Sequence, residues 1–479
     1  MKKITFTRFS SALVFTLALV FAALCATRVE AQLTTVEVWG DFSEEQDVRD
    51  IALDGSDVYL AGQKDRGAGF KGRGYFCKHD TGGCSSVLVE NGTFEALTGV
   101  VEKYSDAWEM DIDGGYLFIA SKSKKRSSPA GCPPSGGATD AWIQSFDLAD
   151  LTTLVNCDHP DLSGNDEGLA VKIIGGDVYW GGTMKSTMSS NQSAVFHKQQ
   201  SNLVHSPRRD FEFTGNKLSE LFDITYGGGL IFVTGRADTD FVTDVCMPLV
   251  GAGAVCSGGK GKKTDAWVAA FDENLDLVWL WQDASRGKSA GQGIEYVDDG
   301  SGNPGLVLVG HYAEDQPCPS YDGVPGAGSE SYTQGYVTWL PLTGGVFDAN
   351  AAGVVATQEL YGDPCVGDTF SDVAVNGTDI YAVGSVLGPQ ADCNGHCPSN
   401  GFEDAILVQY TLNPAGTSLT QVMVRGFRGS VGDSSDTFLT VEYDGINNKL
   451  YMGGFTKSAW FGSNERTGVK DSMLVTLTY

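Results

Sequence analysis

One short phrase returns along the chain and constrains its fold more than any other feature. It is first met at Val48 to Gly62, VRDIALDGSDVYLAG. An alternating apolar stretch reaches Asp54-Gly55, and a second stretch of β-branched and aromatic residues ends on Gly62. Alternation on both sides of an Asp-Gly pair reads as a hairpin, because the tight turn needs a positive φ that Gly adopts without strain. The phrase recurs at Ala107–Ser121, Gly168–Gly182, Leu221–Gly235, Gly293–Gly310, Phe370–Gly384 and Phe438–Gly454. Its turn pairs there are Asp113-Gly114, Gly175-Gly176, Gly227-Gly228, Asp299-Gly300, Asn376-Gly377 and Asp444-Gly445.

A third apolar stretch follows each hairpin, for example GYFCKHD from Gly74, DAWIQSFD from Asp140, DAWVAAFD from Asp265 and DSMLVTLT from Asp471. A more polar fourth stretch follows six of the seven, from SSVLVE at Ser85 to LTQVMV at Leu419. The seventh is missing, since the chain stops at Tyr479, but an orphan of the same kind, TTVEVWG from Thr34, precedes the first hairpin. The pattern predicts an all-β chain folded as a seven-bladed β-propeller of four-stranded antiparallel blades, its ring closed by the N-terminal strand joining the last blade. Residues 32–479 then form a single domain. Repetition outweighs the two or three domains that length alone would suggest.

The repeats resemble the SBBP β-propeller repeat of secreted bacterial proteins. The shared marks are the third strand opening on Asp with an aromatic (Asp140-Ala141-Trp142, Asp265-Ala266-Trp267) and the Asp-Gly turn followed by an apolar strand ending in Gly. The resemblance spans the mature chain. It implies a propeller in an extracellular setting and carries no catalytic residues with it. The cysteines and the long loops depart from the family pattern.

Residues 1–31 read as a signal peptide. Lys2, Lys3 and Arg8 precede the apolar run Leu13 to Leu24, and Val29-Glu30-Ala31 supplies small residues for cleavage after Ala31. Cys25 raises a lipoprotein alternative, against which stands Leu24 where a small residue is expected. No later run approaches the ~20 apolar residues of a membrane helix. The expectation is a secreted or cell-surface protein with no integral membrane segment after cleavage. The leader holds four basic residues and one acid, so 29 basic and 59 acidic residues remain. That excess repels phosphate backbones, which argues against nucleic acid as a partner.

Ten cysteines follow the leader, and export makes disulfides the expected state. They fall two to a unit: Cys77 and Cys84, Cys132 and Cys157, Cys246 and Cys256, Cys318 and Cys365, Cys393 and Cys397. Pairing within each unit is predicted. The Cys393-Asn-Gly-His-Cys397 spacing also looks like half a zinc site, but no further ligands are evident nearby.

Acids recur where units enter their inner strands: Asp47, Asp106, Asp166 or Glu167, Glu220, Asp368 and Asp436. Two readings stay open. Each carboxylate accepts backbone N–H groups and fixes a turn, or several face the axis and share a cation, for which Ca2+ suits an all-oxygen set. Asp238, Asp240 and Asp244 crowd one loop without the Gly and terminal Glu of an EF-hand. Basic clusters, Lys122 to Arg126 and Lys260 to Lys263, lie in long loops of the same face. These loops, such as 236–264 and 385–403, are rich in Gly, Pro and Ser and mark that face for binding.

No H-E-x-x-H or P-loop occurs. His311, opening a long loop of unit 5, is the best placed residue for chemistry. The reading that results is a secreted binding or scaffold module for an extracellular glycan or protein. The alternative is an extracellular enzyme, a polysaccharide lyase or glycoside hydrolase, with its site at the channel mouth.

Overall fold

The computed structural model describes residues 32–39, 45–64, 73–79, 105–123, 140–151, 153–159, 166–185, 192–203, 209–212, 219–238, 245–247, 264–283, 288–298, 302, 304–313, 333–347, 356–359, 367–387, 403–413, 418–427, 435–457 and 470–479. Residues 1–31, read as a signal peptide from the sequence, most of the long loops and the residues at 85–90 lie outside them.

Each copy of the phrase forms an antiparallel hairpin. Its first strand is the inner strand of a sheet: Gln46–Asp54, Ser105–Asp113, Glu167–Ile174, Ser219–Gly227, Lys288–Val297, Asp368–Asn376 and Asp436–Asp444 in blades 1 to 7. The third and fourth strands add outward. In blade 6 the order is Asp368–Asn376, Asp379–Leu387, Glu403–Leu412, Leu419–Phe427. Seven such sheets ring one axis, and the chain is a seven-bladed β-propeller. The strand Gln32–Trp39 pairs with Asp471–Thr478, Val36 opposite Val475, and forms the outer strand of blade 7. Blade 4 gains a strand the sequence reads as loop: Val245–Met247 runs parallel to the outer strand Leu277–Asp283.

Turn chemistry explains the hairpins. Gly55, Gly114, Gly175, Gly228 and Gly377 all hold φ near +60°. In blade 4 the positive φ falls on Gly228 and Gly229, one residue beyond the expected pair. In blade 7 the turn is longer. Asp444 Oδ1 accepts the N–H groups of Ile446 and Asn447, and Asn448 takes the left-handed conformation.

The core is divided among the seams between blades. Seven apolar clusters each join two neighbours, from Phe76 against Phe146 between blades 1 and 2 to Leu60 and Tyr75 against Tyr451 and Leu474 between blades 1 and 7. Sheets buried on both faces need apolar residues at successive positions, which is why second strands read DVYLAG and LIFVTG rather than alternating strictly. Each fully buried aromatic contributes about 2–3 kcal/mol by area.

Candidate functional site

Every inner strand carries one extra residue. The bulged residues are Arg49, Trp108, Leu169, Phe222, Gln292, Ser371 and Leu439, each skipped in the pairing with the second strand. The bulge explains the Gly that closes the phrase. A Cβ on Gly62, Gly182, Gly235, Gly310, Gly384 or Gly454 would stand about 2 Å from the carbonyl oxygen that the bulge turns toward it. Blade 2 has Ser121 in this place, opposite Ala107. The same register puts Gly291 opposite Gly310, so the fifth copy starts two residues earlier than the sequence reading has it. All seven bulged residues line one cavity of about 570 Å³ on the propeller axis.

A bulge breaks the strand ladder and leaves an N–H group facing the axis. Here that group belongs to the second residue after the bulge: Ile51, Met110, Val171, Ile224, Ile294, Val373 and Val441. Four carboxylates satisfy all seven. Asp50 accepts from Ile51 and, at 2.6 Å, from Met110 of blade 2. Asp223 accepts from Ile224 at 2.6 Å and from Ile294 of blade 5 at 2.6 Å. Asp372 accepts from Val373 at 2.7 Å and from Val441 of blade 7 at 2.8 Å. The odd one, Val171 of blade 3, is reached by Glu109, whose extra methylene carries it across the seam from blade 2. Unpaired backbone donors away from water are costly, so these acids are built into the ring.

A second tier lies deeper. Asp111 accepts from Ile112 at 2.9 Å and from Ile173 of blade 3 at 2.7 Å. Thr225 donates to Glu295 at 2.9 Å across the seam of blades 4 and 5. Glu442 comes from blade 7 and Lys172 from blade 3. The lumen below the rim thus holds seven carboxylates and one lysine. Desolvation and crowding raise the acids: Asp50 to about 7, Asp223 to about 6 and Glu442 to about 8. Burial and the charge of Asp223 hold Glu109 and Asp372 well above the usual carboxylate range. The Asp111 carboxylate, then burial working against it, then Glu295 and Glu442 set Lys172, whose ammonium is held charged far above its ordinary range. Among the described residues no group of three or more His, Cys, Asp or Glu is arranged to hold a metal ion.

The acids singled out in the sequence stand around this lumen rather than in it. Asp47 and Asp106 belong to an ion-pair chain at the rim: Arg49 Nε meets Asp47 at 3.1 Å, Arg49 Nη1 meets Asp106 at 3.6 Å, and Lys122 Nζ meets Asp106 at 3.2 Å and Glu167 at 3.0 Å. Asp47 also accepts the N–H of Gln63 at 2.9 Å. Glu220, paired with Arg236, and Glu167 do line the cavity. Asp166, Asp368 and Asp436 are buried at the start of their inner strands, and Thr456 donates to Asp436 at 2.5 Å. His311 is half-buried. Burial first and the Arg236 charge second lower it to about 4, so its imidazole is neutral at pH 7. The rim cations also cover aromatic faces, Arg49 lying 4.1 Å from the Trp108 ring centre and Arg236 5.5 Å from that of Phe222. Of the cysteines, Cys77 and Cys157 have described side chains; both are buried and neither is a free thiol. Their expected partners Cys84 and Cys132 lie outside the described residues, as do Cys256, Cys318, Cys365, Cys393 and Cys397 and the side chain of Cys246.

The lumen acids escaped the sequence reading because they occupy polar positions inside alternating strands. The signal was present all the same: in five copies the bulged residue lies 13 positions before the closing Gly or Ser, and a carboxylate or a small residue follows it.

Fold and site together define a seven-bladed propeller with an acidic, bulge-rimmed channel. No family model and no curated protein matches the chain. Solved structures do. Kuenenia stuttgartiensis hydrazine synthase is similar over 89% of this chain and 94% of its own, with 11% identity and a TM-score of 0.43. The extracellular domains 1–2 of Drosophila semaphorin 1b match over 94% of this chain and 87% of theirs, with 9% identity and a TM-score of 0.43. The β-propeller domain of the trilobed protease from Pyrococcus furiosus matches over 89% and 97%, with 11% identity and a TM-score of 0.41.

Proposed function

We propose that the protein is an exported binding propeller that takes an extracellular glycan or protein ligand at the mouth rimmed by the bulged residues. The observation carrying this reading is the chemical variety at one repeated position. Positions that serve the blade repeat: the closing Gly, the turn Gly, the apolar pairs. The seven bulged residues do not. They are a cation, two aromatics, two leucines, a glutamine and a serine, all bordering one cavity. A rigid ring that varies its side chains at this rim offers apolar faces beside hydrogen-bonding groups, the mixture a polar organic ligand needs. The leader-like start, the cysteines two to a unit and the resemblance to secreted SBBP-type propellers support an extracellular setting. Disulfides within units fit the same setting.

A glycan array and a panel of extracellular proteins, probed with the wild type and with Trp108→Ala, test the reading. Binding that falls at least tenfold in Trp108→Ala, without loss of melting temperature, supports it. Full binding by the variant, or no ligand in either panel, overturns it.

A second reading has an observation of its own. Carboxyl groups in the lumen, Glu442 among them at about 8, are held protonated near neutral pH, as a general acid must be. A lyase or hydrolase would use such a group. A polysaccharide-degradation screen decides this: turnover abolished by Glu442→Gln with binding retained establishes the enzyme, and no turnover on any polymer removes it.

A further inference from the structure

The lumen poses an electrostatic problem that the binding reading does not touch. Carboxylates from six blades face one another across it, and each of the four upper ones holds a backbone N–H of a neighbouring blade. We propose that Lys172 is the resident counter-ion of the channel, the positive charge against which these carboxylates ionise while they tie the inner strands together.

The placement supports this from every side. Asp111 and Glu109 of blade 2 flank Lys172 on its own side of the ring, and Asp111 exerts the largest pull on it. Glu295 of blade 5 and Glu442 of blade 7 face it across the lumen and act on it in turn. Its charge favours the ionised forms of Asp50 in blade 1 and Asp223 in blade 4 as well. Asp372 of blade 6 feels Asp223 and Asp50 rather than the lysine. The remaining cations bordering the cavity, Arg49 and Arg236, are engaged at the rim by Asp47 and Glu220. Blade 3 places Ala170, not an acid, after its bulge, so the ammonium comes from a blade whose own bulge supplies no carboxylate tie.

The charged form satisfies the ties most fully, although its desolvation makes it the costlier form. Both oxygens of Asp223 and of Asp372 accept N–H groups. A proton on either oxygen would take one acceptor away. Keeping these groups ionised in a crowded lumen is unfavourable without a positive partner. Lys172 stays charged throughout the range where the acids titrate, because its own proton is lost only at high pH. What changes with pH is the number of carboxylates that depend on it. Near pH 5 Asp50, Asp223 and Glu442 are protonated and the lysine has less to neutralise. By pH 8 Asp50 and Asp223 are ionised and Glu442 is partly so, and the lysine faces many more of them.

The test compares wild type, Lys172→Met and Lys172→Arg in thermal melts from pH 5 to pH 8. The expected result is a deficit of on the order of 5 °C or more for Lys172→Met at pH 8 that closes toward zero at pH 5, with Lys172→Arg following the wild type. A Lys172→Met protein that folds at pH 5 and fails to fold at pH 8 is the same result in stronger form. A deficit of equal size at both ends, or failure to fold at either pH, makes the lysine a packing residue and overturns the proposal.

Discussion

The seam between blades 4 and 5 and the seam between blades 3 and 4 come from the same repeat but are held differently. The first carries polar ties at the axis: Asp223 crosses to Ile294 and Thr225 crosses to Glu295. The second has Ala170 at the corresponding place and seals with aromatic rings, Phe196 lying 5.2 Å from Phe271 and close to Tyr179. Its polar contacts sit away from the lumen, where Tyr179 Oη and Lys198 Nζ donate to the carbonyl of Glu273 at 2.9 and 2.7 Å. The difference shows what sets the position of an acid. A carboxylate stands where an axial N–H needs an acceptor, and none is required at blade 3, because Asp223 already serves its own strand and the next. Apolar burial is common to all seven seams. The ties decide how the ring responds to pH.

The largest expected effect comes from breaking the untied seam. Phe196 is fully buried among Ile224, Val233 and Phe271. Phe196→Ala should cost about 3–5 kcal/mol, since the lost ring leaves a cavity that rigid sheets fill poorly. Denaturant melts at pH 5 and pH 8 should give the same loss. A loss that differs by more than about 1 kcal/mol between the two would mean that charge also governs this seam.

Next comes the tied seam. Asp223→Ala orphans two N–H groups, at about 1–3 kcal/mol each, and removes a crowded carboxylate at the same time. The sign of the pH dependence follows from Asp223 lying near 6 when folded against an ordinary 3.8. The folded chain binds that proton more tightly than the unfolded chain. The stabilisation this gives is complete below about pH 4 and is lost as pH rises through 6. The penalty of Asp223→Ala should therefore be greatest at pH 4.5 and smaller by about 1–3 kcal/mol at pH 7.5. A penalty that grows with pH would reverse the account of this tie.

How much of this was legible in the sequence depends on the range of the interaction. The hairpins were, because Asp54-Gly55 and its six counterparts declare their turns locally. So was the partner of Val36, because a fourth strand was missing at one end and spare at the other. The bulges were not. Gly62 shows only that a side chain is unwelcome, and the reason, a carbonyl turned toward it from the inner strand, arises only once the two strands pair. The acids at the rim recur in phase and drew attention for that reason. The lumen acids recur out of phase, Asp50 and Asp223 after the bulge, Asp111 and Glu442 two residues later. They differ because each blade meets a different neighbour's demand for an acceptor. That demand is settled across seams joining residues about 60–70 apart in the chain, such as Asp50 and Met110, and by Thr440 reaching Asp50 around the ring.

The smallest expected effect tests whether the two untied seams are alike. Blade 5 places Gly293 after its bulge, where blade 3 has Ala170. A Cβ on Gly293 would meet the Cα of Asp372 at 3.0 Å and Val309 Cγ2 at 3.1 Å. Blades 5 and 6 therefore approach more closely at the axis than blades 3 and 4, where a methyl fits. Gly293 has no positive φ to defend, so the cost of Gly293→Ala is steric alone and is set against the backbone freedom that Ala removes from the unfolded chain. Shifting Val309 is easy; shifting Asp372 is not, because both its oxygens hold N–H groups of blades 6 and 7. The strain should pass into that tie. We expect a net loss of about 1 kcal/mol, and faster amide exchange at Val441 than at Ile294, whose tie to Asp223 lies on the other side of blade 5. Equal exchange at the two amides would show that the close approach is local and that the ties of neighbouring seams do not communicate.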